Sequence, residues 1–521
     1  MAANESPDMS HRTYPFQAGP KLKLRSRRLG TFAAALLSLA LVVSACGSGG
    51  ESSDKGPGTG SGDEAPEVNA KNCPVAALDD ADGPVDITVW HAYTALTKQA
   101  IDDAAAAYNS SQKKVKVHVE AQGTYEELLK KYEARLDDVT SLPDAIFSED
   151  TTLQFMVDSG SVIASGDCIA ADPEASKFYD ALLPQVRNTF SIRKVLWPAA
   201  FGISMPIMYV NNDHLKKAGL GAADVPQTLA DVRKVAEKIK SANIPGVETP
   251  IVIELYGWYP ENWLTGVGQE IVNEANGHDG LATKSTIDNE NTREILTWLQ
   301  GMEKDGLLKA FPRRPGMIDQ FLALGQQNAS ILIEGSRSIT TVNSIVQNSY
   351  KGDAIEGAEG INTEELKGLD INVYPVPGLK EAGQGSPAGS AGYLVNSDSP
   401  SKIAAAWDFM KYFNSEPVQV QWTLMGSYLP TTTTVQANPK ITDYFANDLA
   451  GRWLSVVNEQ FKNTNPDFPN PVIGPYDKFR SGFQAAMEKI VLQGDSVDST
   501  LKSFNSDFQK ALDEYATEVG G

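Results

Sequence analysis

The stretch that decides the fold spans residues 85–150 and reads VDITVWHAYTALTKQAIDDAAAAYNSSQKKVKVHVEAQGTYEELLKKYEARLDDVTSLPDAIFSED. Apolar and polar side chains alternate in its strand segments, which are rich in β-branched residues, and apolar side chains recur at helical spacing between them. The predicted order is strand 85–90, helix 96–108, strand 114–120, helix 125–136 and strand 144–147. This order indicates an α/β fold with a mainly parallel sheet.

Several side chains follow the ends of these predicted strands. Trp90, His91 and Tyr93 come at the end of the first strand, and Glu149 and Asp150 follow the third. Ligands of open parallel sheets bind outside the carboxyl ends of the strands, so we expect these residues at the rim of a site. The two carboxylates could instead only cap the next helix.

Two later segments bear on the site. The run 199–212 is extended and apolar but holds Pro206, which favours a crossing or edge segment over a central strand. Trp258 and Trp263 lie close together and could be either core residues or part of an aromatic binding surface. Aromatic faces suit the apolar face of a sugar or polyol, and hydroxyls and carboxylates orient it.

The amino-terminal segment has the layout of a secretory signal. Five basic residues precede the apolar run 32–43, and Val43-Ser44-Ala45-Cys46 resembles a bacterial lipobox, which implies a diacylated Cys46. A membrane-spanning anchor is the alternative, but the run is short for a bilayer. We therefore predict a lipoprotein signal peptide over 1–45 and a Gly/Ser-rich flexible tether over 46–70.

Charge and cysteines narrow the classes further. The net charge is −21, and −25 without residues 1–45, with no basic patch that could bind nucleic acid. Apart from Cys46, the chain has Cys73 and Cys168, and an even pair in an oxidising compartment predicts a disulfide. Two free buried thiols are the alternative.

Signatures of catalysis and of metal binding are missing from the sequence. The five histidines show no metal-ligand spacing, and the chain has no P-loop and no GxSxG elbow. We expect no enzyme activity, no cofactor and no metal site. Because carboxylates are plentiful, a membrane-anchored extracellular carbohydrate-active hydrolase stays open as the alternative, as does a purely structural surface lipoprotein.

Several segments resemble family-1 extracellular solute-binding proteins in the right order. They are ITVWHAYTALTKQAIDDAAAAYN (87–109), GTYEELLKKYEA (123–134), LPDAIFSED (142–150), PIMYVNNDHLKKAGL (206–220), PQTLADV (226–232) and AAWDFMKYFNSEPVQVQWTLMGSYLPT (405–431). The resemblance implies a periplasmic-binding-protein type II fold, in which two lobes with mainly parallel sheets are joined by a hinge of three crossings. It also implies the receptor of an ABC importer.

The resemblance implies the following organisation. The N-terminal lobe would comprise 71–203 and 393–424, and the C-terminal lobe 206–386 and 430–521, with crossings near Ser204, Ala391 and Gly426. A sugar, polyol or glycerophosphodiester would bind between the lobes and pass to the membrane subunits of an ABC permease. We expect a monomer that is lipid-anchored to the outer face of the cell membrane.

Within this superfamily the chain is most similar to the glycerol-3-phosphate-binding branch. That similarity, together with the rim position of Trp90, implies a set of ligand-binding residues: Trp90, Tyr125, Glu149, Asp150, Ser204, Trp258, Trp263, Ser336, Ser390 and Tyr428. The branch has a phosphate-holding arginine where this chain has Val472. Arg337 and Arg480 could substitute for it, and a neutral sugar fits the acidic chain at least as well.

Overall fold

The computed structural model describes residues 68–93, 95–314, 319–347 and 369–520. The predicted signal peptide, Cys46 and most of the predicted tether lie outside these ranges. No helix in the described ranges is long and apolar enough to cross a bilayer.

The strands alternate with helices along most of the chain. They are β1 (Val85–His91), β2 (Val115–Ala121), β3 (Ala145–Glu149), β4 (Val162–Ile163), β5 (Ser191–Ile192), β6 (Val195–Leu196), β7 (Ala199–Ser204), β8 (Pro206–Asn211), β9 (Thr249–Leu255), β10 (Leu308–Pro312), β11 (Ala329–Gly335), β12 (Ile371–Pro375) and β13 (Ala388–Val395).

The helices of the first half are α1 (Ala95–Ser111), α2 (Tyr125–Glu133), α3 (Leu153–Asp158), α4 (Ser165–Ala171), α5 (Pro173–Tyr179), α6 (Pro184–Thr189), α7 (Asn212–Lys217), α8 (Leu229–Ser241), α9 (Trp258–Thr265) and α10 (Asn273–Asn276). Those of the second half are α11 (Glu290–Lys304), α12 (Asp319–Gly325), α13 (Ile339–Val346), α14 (Pro400–Phe413), α15 (Glu416–Gly426), α16 (Thr433–Gln436), α17 (Pro439–Asn447), α18 (Leu449–Lys462), α19 (Tyr476–Gln493) and α20 (Val497–Gly520).

Two main sheets divide the molecule, and we name the first lobe and the second lobe after them. The first sheet has the order β2-β1-β3-β13-β4, and β7 also pairs with β13. Strands β1, β2 and β3 are parallel, which confirms the βαβαβ unit predicted from residues 85–150. Strand β13 runs antiparallel to β3, because it enters from the other lobe.

The second sheet has the order β10-β9-β11-β8-β12. Strands β9, β10 and β11 are parallel, and β8 is antiparallel to both of its neighbours. The segment 199–212 contains a crossing, which was one of the two predicted possibilities, but its second half is not an edge, because β8 lies between β11 and β12. Pro206 is the first residue of β8, where a missing N–H is tolerated.

Local sequence explains the ends and faces of the helices that flank the sheets. The Thr124 side chain accepts from the backbone N–H of Glu127, and Glu127 accepts from that of Thr124, so a capping box starts α2. Thr228 caps α8 in the predicted way. The buried face of α8 includes the predicted residues Leu229, Val232, Val235 and Ile239.

The chain passes between the lobes at the ends of these elements. The first crossing is the step from β7 to β8 at Met205. The second precedes β13, earlier than the predicted Ala391, because Ala391 already pairs with Ser148 inside the first sheet. After Gly426, at the end of α15, Leu429 bridges back to Ile203 beside the first crossing.

The hydrophobic core continues through the first crossing. Ile203, Met205 and Ile207 are fully buried and belong to one cluster that reaches into both lobes. A second cluster fills the far face of the second sheet, and a third lies between α2 and the first sheet. The crossing is therefore packed on all sides, which fixes the residues beside it.

A disulfide joins Cys73 to Cys168 in the first lobe. Cys168 lies in α4, and both cysteines are buried. Next to the bond, the Asp167 carboxylate accepts hydrogen bonds from the backbone N–H of Asn69 and from the side chain of Asn72. These contacts fasten the amino-terminal segment of the described chain to the lobe.

Candidate functional site

The first lobe presents tyrosines and a carboxylate at the carboxyl ends of β1 and β3. Tyr93 lies two residues after β1, and its ring meets that of Tyr125 edge to face at 5.8 Å. Glu149, the last residue of β3, is half-buried and faces Ser390 of β13 in register. Parallel strands bring these residues to one edge because their carboxyl ends coincide.

Tyr428 completes this group of side chains, which we call the wall of the first lobe. It follows Ser427, whose φ of 56° lets the chain turn back at the end of α15. The Tyr428 ring stacks on Trp422 at 5.2 Å and lies 6.5 Å from Tyr93. A Cβ atom at Gly202 would lie 2.9 Å from the Trp422 indole nitrogen and 3.0 Å from the Tyr428 ring, so glycine there is a steric requirement.

The second lobe faces this wall with Trp258, Ser336 and Arg337. Trp258 begins α9 and packs on Gly335, where a Cβ atom would lie 3.2 Å from the indole ring. The Ser336 hydroxyl lies 3.2 Å from that of Ser204 and accepts the backbone N–H of Met205 at 3.1 Å. The two predicted serines lie 132 positions apart in the sequence and meet at the first crossing.

We call the region where the residues of these two walls come together the cleft. It is lined by Tyr93, Tyr125, Glu149, Ser390 and Tyr428 of the first lobe and by Ser204, Tyr256, Trp258, Ser336 and Arg337 at the crossing and on the second. Arg337 follows Ser336 at the end of β11, and its guanidinium is near enough to Tyr428 and Tyr125 of the first lobe and to Tyr256 of the second to interact with them electrostatically.

Two more arginines lie behind Tyr256. The guanidinium of Arg313 lies 3.9 Å from the centre of the Tyr256 ring, and that of Arg480 lies 4.9 Å from it. Arg313 pairs with the buried carboxylate of Glu254 at 2.7 Å. Arg480 forms a two-point pair with fully buried Glu261. Both guanidinium groups are thus already neutralised by carboxylates.

Beside the cleft, the lobes touch through Asp150. Its buried carboxylate accepts hydrogen bonds from the backbone N–H of Gly389 at 3.1 Å and from the side chain of Asn470 at 3.2 Å. Burial raises the pKa of Asp150 to about 7, with help from the neighbouring Glu149; Gly389, Arg480 and Asn470 oppose the rise. The side chain is therefore occupied by protein groups from both lobes.

Asn470 and His278 extend this contact, which we call the seam. The Asn470 amide also donates to the carbonyl of Pro387 and accepts from the hydroxyl of Ser386. The His278 ring lies between two carbonyl oxygens, that of Ser191 at 2.7 Å and that of Asn470 at 2.8 Å. Burial lowers the pKa of His278, so near neutral pH the ring donates to only one of them.

The backbone next to His278 is strained. Glu274, Ala275 and Asn276 all have φ between 50° and 58°, a left-handed turn that costs about 1–2 kcal/mol per residue. The carbonyl of Asn276 accepts the N–H of Val472 at 2.7 Å, and its side chain donates to the carbonyl of Pro469 at 3.2 Å. The strained turn thus positions the 469–472 loop against the first lobe.

Two predicted residues do not reach the cleft. Trp90 lies on the face of β1 opposite Val89, because side chains alternate along the strand. Its indole donates to Glu120 at 3.1 Å under the guanidinium of Arg135, and it belongs to the apolar cluster against which Tyr125 packs. Trp263 lies more than one turn after Trp258 on α9, packs edge to face on Trp298 at 5.9 Å and belongs to the core.

The remaining predictions have mixed positions. Tyr125, Glu149, Ser204, Trp258, Ser336, Ser390 and Tyr428 meet at the cleft, whereas Asp150 belongs to the seam. Val472 is buried in the apolar cluster that holds Trp90. The predicted set of ligand-binding residues omits Tyr93, although it stands at the rim in the sequence, and Asn470, which no sequence signal marks.

The cleft is suited to holding a hydroxylated molecule. Tyrosine and tryptophan rings offer apolar faces, and serine and tyrosine hydroxyls with one carboxylate offer hydrogen bonds at fixed positions. The buried hydroxyl of Tyr93 and the indole N–H of Trp258 have no partner of good geometry. Within the described residues no group of His, Cys, Asp or Glu is arranged to hold a metal ion.

Comparison with a family model gives a match over residues 103–448 to bacterial extracellular solute-binding proteins. The sn-glycerol-3-phosphate-binding periplasmic protein of Agrobacterium fabrum is 22% identical over 441 residues, which is 79% of this chain and 92% of the relative. The protein of the same name from Escherichia coli is 24% identical over 47% of this chain and 56% of its own length.

Solved structures share the two-lobed fold. The GacH receptor of Streptomyces glaucescens, solved unliganded and with acarbose, has a TM-score of 0.63 at 18% identity and covers 82% of this chain and 98% of its own. A Mycobacterium tuberculosis protein solved with glycerophosphocholine has a TM-score of 0.64 at 15% identity and covers 84% of this chain and 100% of its own. The fold is that of the type II periplasmic binding proteins.

Proposed function

The chain belongs to the bacterial extracellular solute-binding proteins, and from that premise we propose that it captures a sugar, a polyol or a glycerol-phosphate-type solute in the cleft. Members of this family serve ABC importers as binding proteins and are not enzymes. The proposal is carried by one observation: hydroxyl and aromatic groups of both lobes face each other at the first crossing, with polar atoms that lack protein partners.

Binding would couple to movement of the lobes. Each lobe supplies part of the cleft, so a solute makes all its contacts only when the lobes are closed, and its differential affinity favours that form. The packed crossing at Met205 would serve as the hinge. The closed form would then be the one that the membrane subunits of the permease recognise.

The same proposal includes the position of the protein in the cell. Lipid on Cys46 and a tether over 46–70 would hold a monomeric receptor at the outer face of the cell membrane. The lobes of this receptor would comprise 71–203 with 393–424 and 206–386 with 430–521, and the start of β13 at Ala388 supports a return to the first lobe a few residues earlier than 393.

A thermal-shift screen followed by calorimetry tests the binding proposal. Maltose, ribitol, glycerol 3-phosphate and glycerophosphocholine represent the solute classes. At 100 times its dissociation constant a true ligand should stabilise the protein by about 2.7 kcal/mol. We expect Trp258→Ala and Tyr428→Phe to weaken its binding about tenfold or more, because both side chains line the cleft.

Controls separate the cleft from the core. Trp298→Ala and Tyr412→Ala remove half-buried rings outside the cleft and should leave the affinity within about threefold. If Trp258→Ala and Tyr428→Phe bound the ligand as tightly as the parent protein, the assignment of the cleft would be wrong. Recovery of a chemically altered solute would favour a hydrolase instead.

A further inference from the structure

Three arginines surround Tyr256, and they differ in one respect. Arg313 and Arg480 each form an ion pair, with Glu254 and Glu261 respectively. The guanidinium of Arg337 has no hydrogen-bond or ion-pair partner among the residues that the structure describes. An arginine is charged at every physiological pH and carries five N–H donors, so Arg337 keeps unused binding capacity.

The position of Arg337 directs that capacity into the cleft. The residue follows Ser336 at the carboxyl end of β11, one residue after the contact between the two serines. Its electrostatic neighbours include Tyr428 and Tyr125 of the opposite wall. The side chain is nevertheless exposed to solvent, so a molecule that enters between the lobes can reach it.

The nearest carboxylate does not use these donors. Glu334 is an electrostatic neighbour of Arg337, but its oxygens accept from the hydroxyl of Tyr259 at 3.0 Å, from the side chain of Gln320 at 3.3 Å and from the N–H of Gly335 at 2.7 Å. Glu334 is therefore satisfied within the second lobe. The negative charge of Glu334 reduces the positive potential around Arg337 but does not use the hydrogen-bond donors of the guanidinium.

The position at which the glycerol-3-phosphate-binding branch has its phosphate-holding arginine cannot bind a phosphate here. Val472 is 3% exposed and packs into the apolar cluster of the first lobe. Its side chain has neither a charge nor a hydrogen-bond donor that could bind an anion. Arg480 is engaged twice by Glu261 and once by the hydroxyl of Tyr476. Among the three arginines at the cleft, only Arg337 can supply a planar two-point donor to a ligand.

We propose that Arg337 binds the phosphate of a phosphate-ester solute in the cleft. This inference rests on the proposed function and narrows it from hydroxylated solutes in general to phosphate esters of polyols. The guanidinium fork would hold two phosphate oxygens, while the hydroxyl-bearing part of the solute would lie among the tyrosine, tryptophan and serine side chains. A neutral sugar would leave the charge of Arg337 without a counterpart.

Calorimetry with the full chain and four probes tests this proposal. The probes are glycerol 3-phosphate, glycerophosphocholine, inorganic phosphate and maltose, which separate monoester, diester, free anion and neutral sugar. In Arg337→Gln we expect the dissociation constant of the bound phosphate ester to rise about 10- to 100-fold, because charged hydrogen bonds are lost. Arg337→Lys keeps the charge but not the fork and should lose about 3- to 10-fold.

A matched control and a folding check complete the experiment. Arg452→Gln removes an exposed arginine of α18 that contacts only the carbonyl of Asn447 and should change the affinity by less than threefold. Thermal melts of both Arg337 variants should match the parent, because Arg337 has no protein partner to lose. If Arg337→Gln melted at a lower temperature than the parent, the phosphate-ester affinity of Arg337→Lys would decide whether Arg337 binds the phosphate.

The outcomes separate this proposal from the wider one. Unchanged phosphate-ester affinity in both Arg337 variants would overturn the role of Arg337 and leave the binding function standing. Binding of maltose without binding of either ester would do the same. Binding of inorganic phosphate as tight as that of the esters would show an anion site without a polyol site and would contradict the proposal. Failure of all four probes would count against both proposals.

Discussion

The cleft and the seam are neighbouring parts of one interlobe surface, and they differ in how their polar groups are satisfied. At the seam, Asn470 uses both its amide hydrogens and its oxygen, and Asp150 accepts from two donors. At the cleft, the hydroxyl of Tyr93, the indole N–H of Trp258 and the guanidinium of Arg337 have no hydrogen-bond partner of good geometry among the residues that the structure describes.

This difference indicates that the seam contributes to stability and the cleft to binding. A buried polar group without a partner costs about 1–3 kcal/mol, so unsatisfied groups persist where something other than stability is served. The seam stabilises the contact of the lobes through hydrogen bonds between protein groups, whereas donors at the cleft stay available to a solute. Changes at the seam should therefore lower stability, and changes at the cleft should lower affinity.

The largest effect is expected from Asn470→Ala at the seam. The variant loses hydrogen bonds to Asp150, Pro387 and Ser386 and leaves a buried carboxylate underpaired, so the free energy of unfolding should fall by about 3 kcal/mol. Chemical denaturation measures it. Asn463→Ala, an exposed asparagine of the same loop, is the control and should lose less than about 1 kcal/mol. Equal losses in the two variants would show that the seam network contributes little.

A pH dependence should follow from Asp150. Its pKa of about 7 lies above the value near 3.9 of an unfolded chain, so the native state binds more protons between these values. The stabilisation is complete below about pH 4 and is lost as the pH rises through 7. We expect the free energy of unfolding to fall by about 2 kcal/mol from pH 5 to pH 8 through this group.

The comparison with Asp150→Asn isolates this effect. The lowered pKa values of His91 and His278 act in the opposite direction, because both rings must gain a proton as the protein unfolds in acid. The difference between the parent and Asp150→Asn cancels these histidine contributions. A difference that stayed constant from pH 5 to pH 8 would mean that Asp150 is ionised throughout that range.

The smallest and sharpest test is a matched pair of Tyr→Phe changes. The Tyr515 hydroxyl of α20 donates to the carboxylate of Asp158 across the lobes at 2.8 Å, so Tyr515→Phe should cost about 1–2 kcal/mol of stability. The Tyr93 hydroxyl has no carboxylate partner and no hydrogen bond of good geometry among the described residues, so Tyr93→Phe should stay within about 0.5 kcal/mol of the parent while it changes the affinity for the solute. The reverse order of stabilities would contradict the distinction between interlobe groups that are paired within the protein and cleft groups that are not.

Sequence patterns predicted much of this arrangement. The alternation in residues 85–150 gave the parallel unit, and the resemblance to a known family placed Tyr125, Ser204, Ser336 and Tyr428 where they meet. The structure does not bring Trp90 and Trp263 together with these residues. Both tryptophans lie close in sequence to cleft residues, but a one-residue step along β1 and a little more than one turn of α9 direct them to other faces.

By itself, the sequence determined the order of strands and helices, the helix caps and the residues that end each strand, because these depend on neighbours a few positions away. Only the tertiary structure decided which polar groups are already paired. Arg480 meets Glu261 across 219 positions and Asn470 meets Asp150 across 320, and no local pattern encodes such contacts. The packing of the two lobes uses these partners and leaves Arg337 without one among the described residues, and that difference is the basis for proposing Arg337 as the binding group.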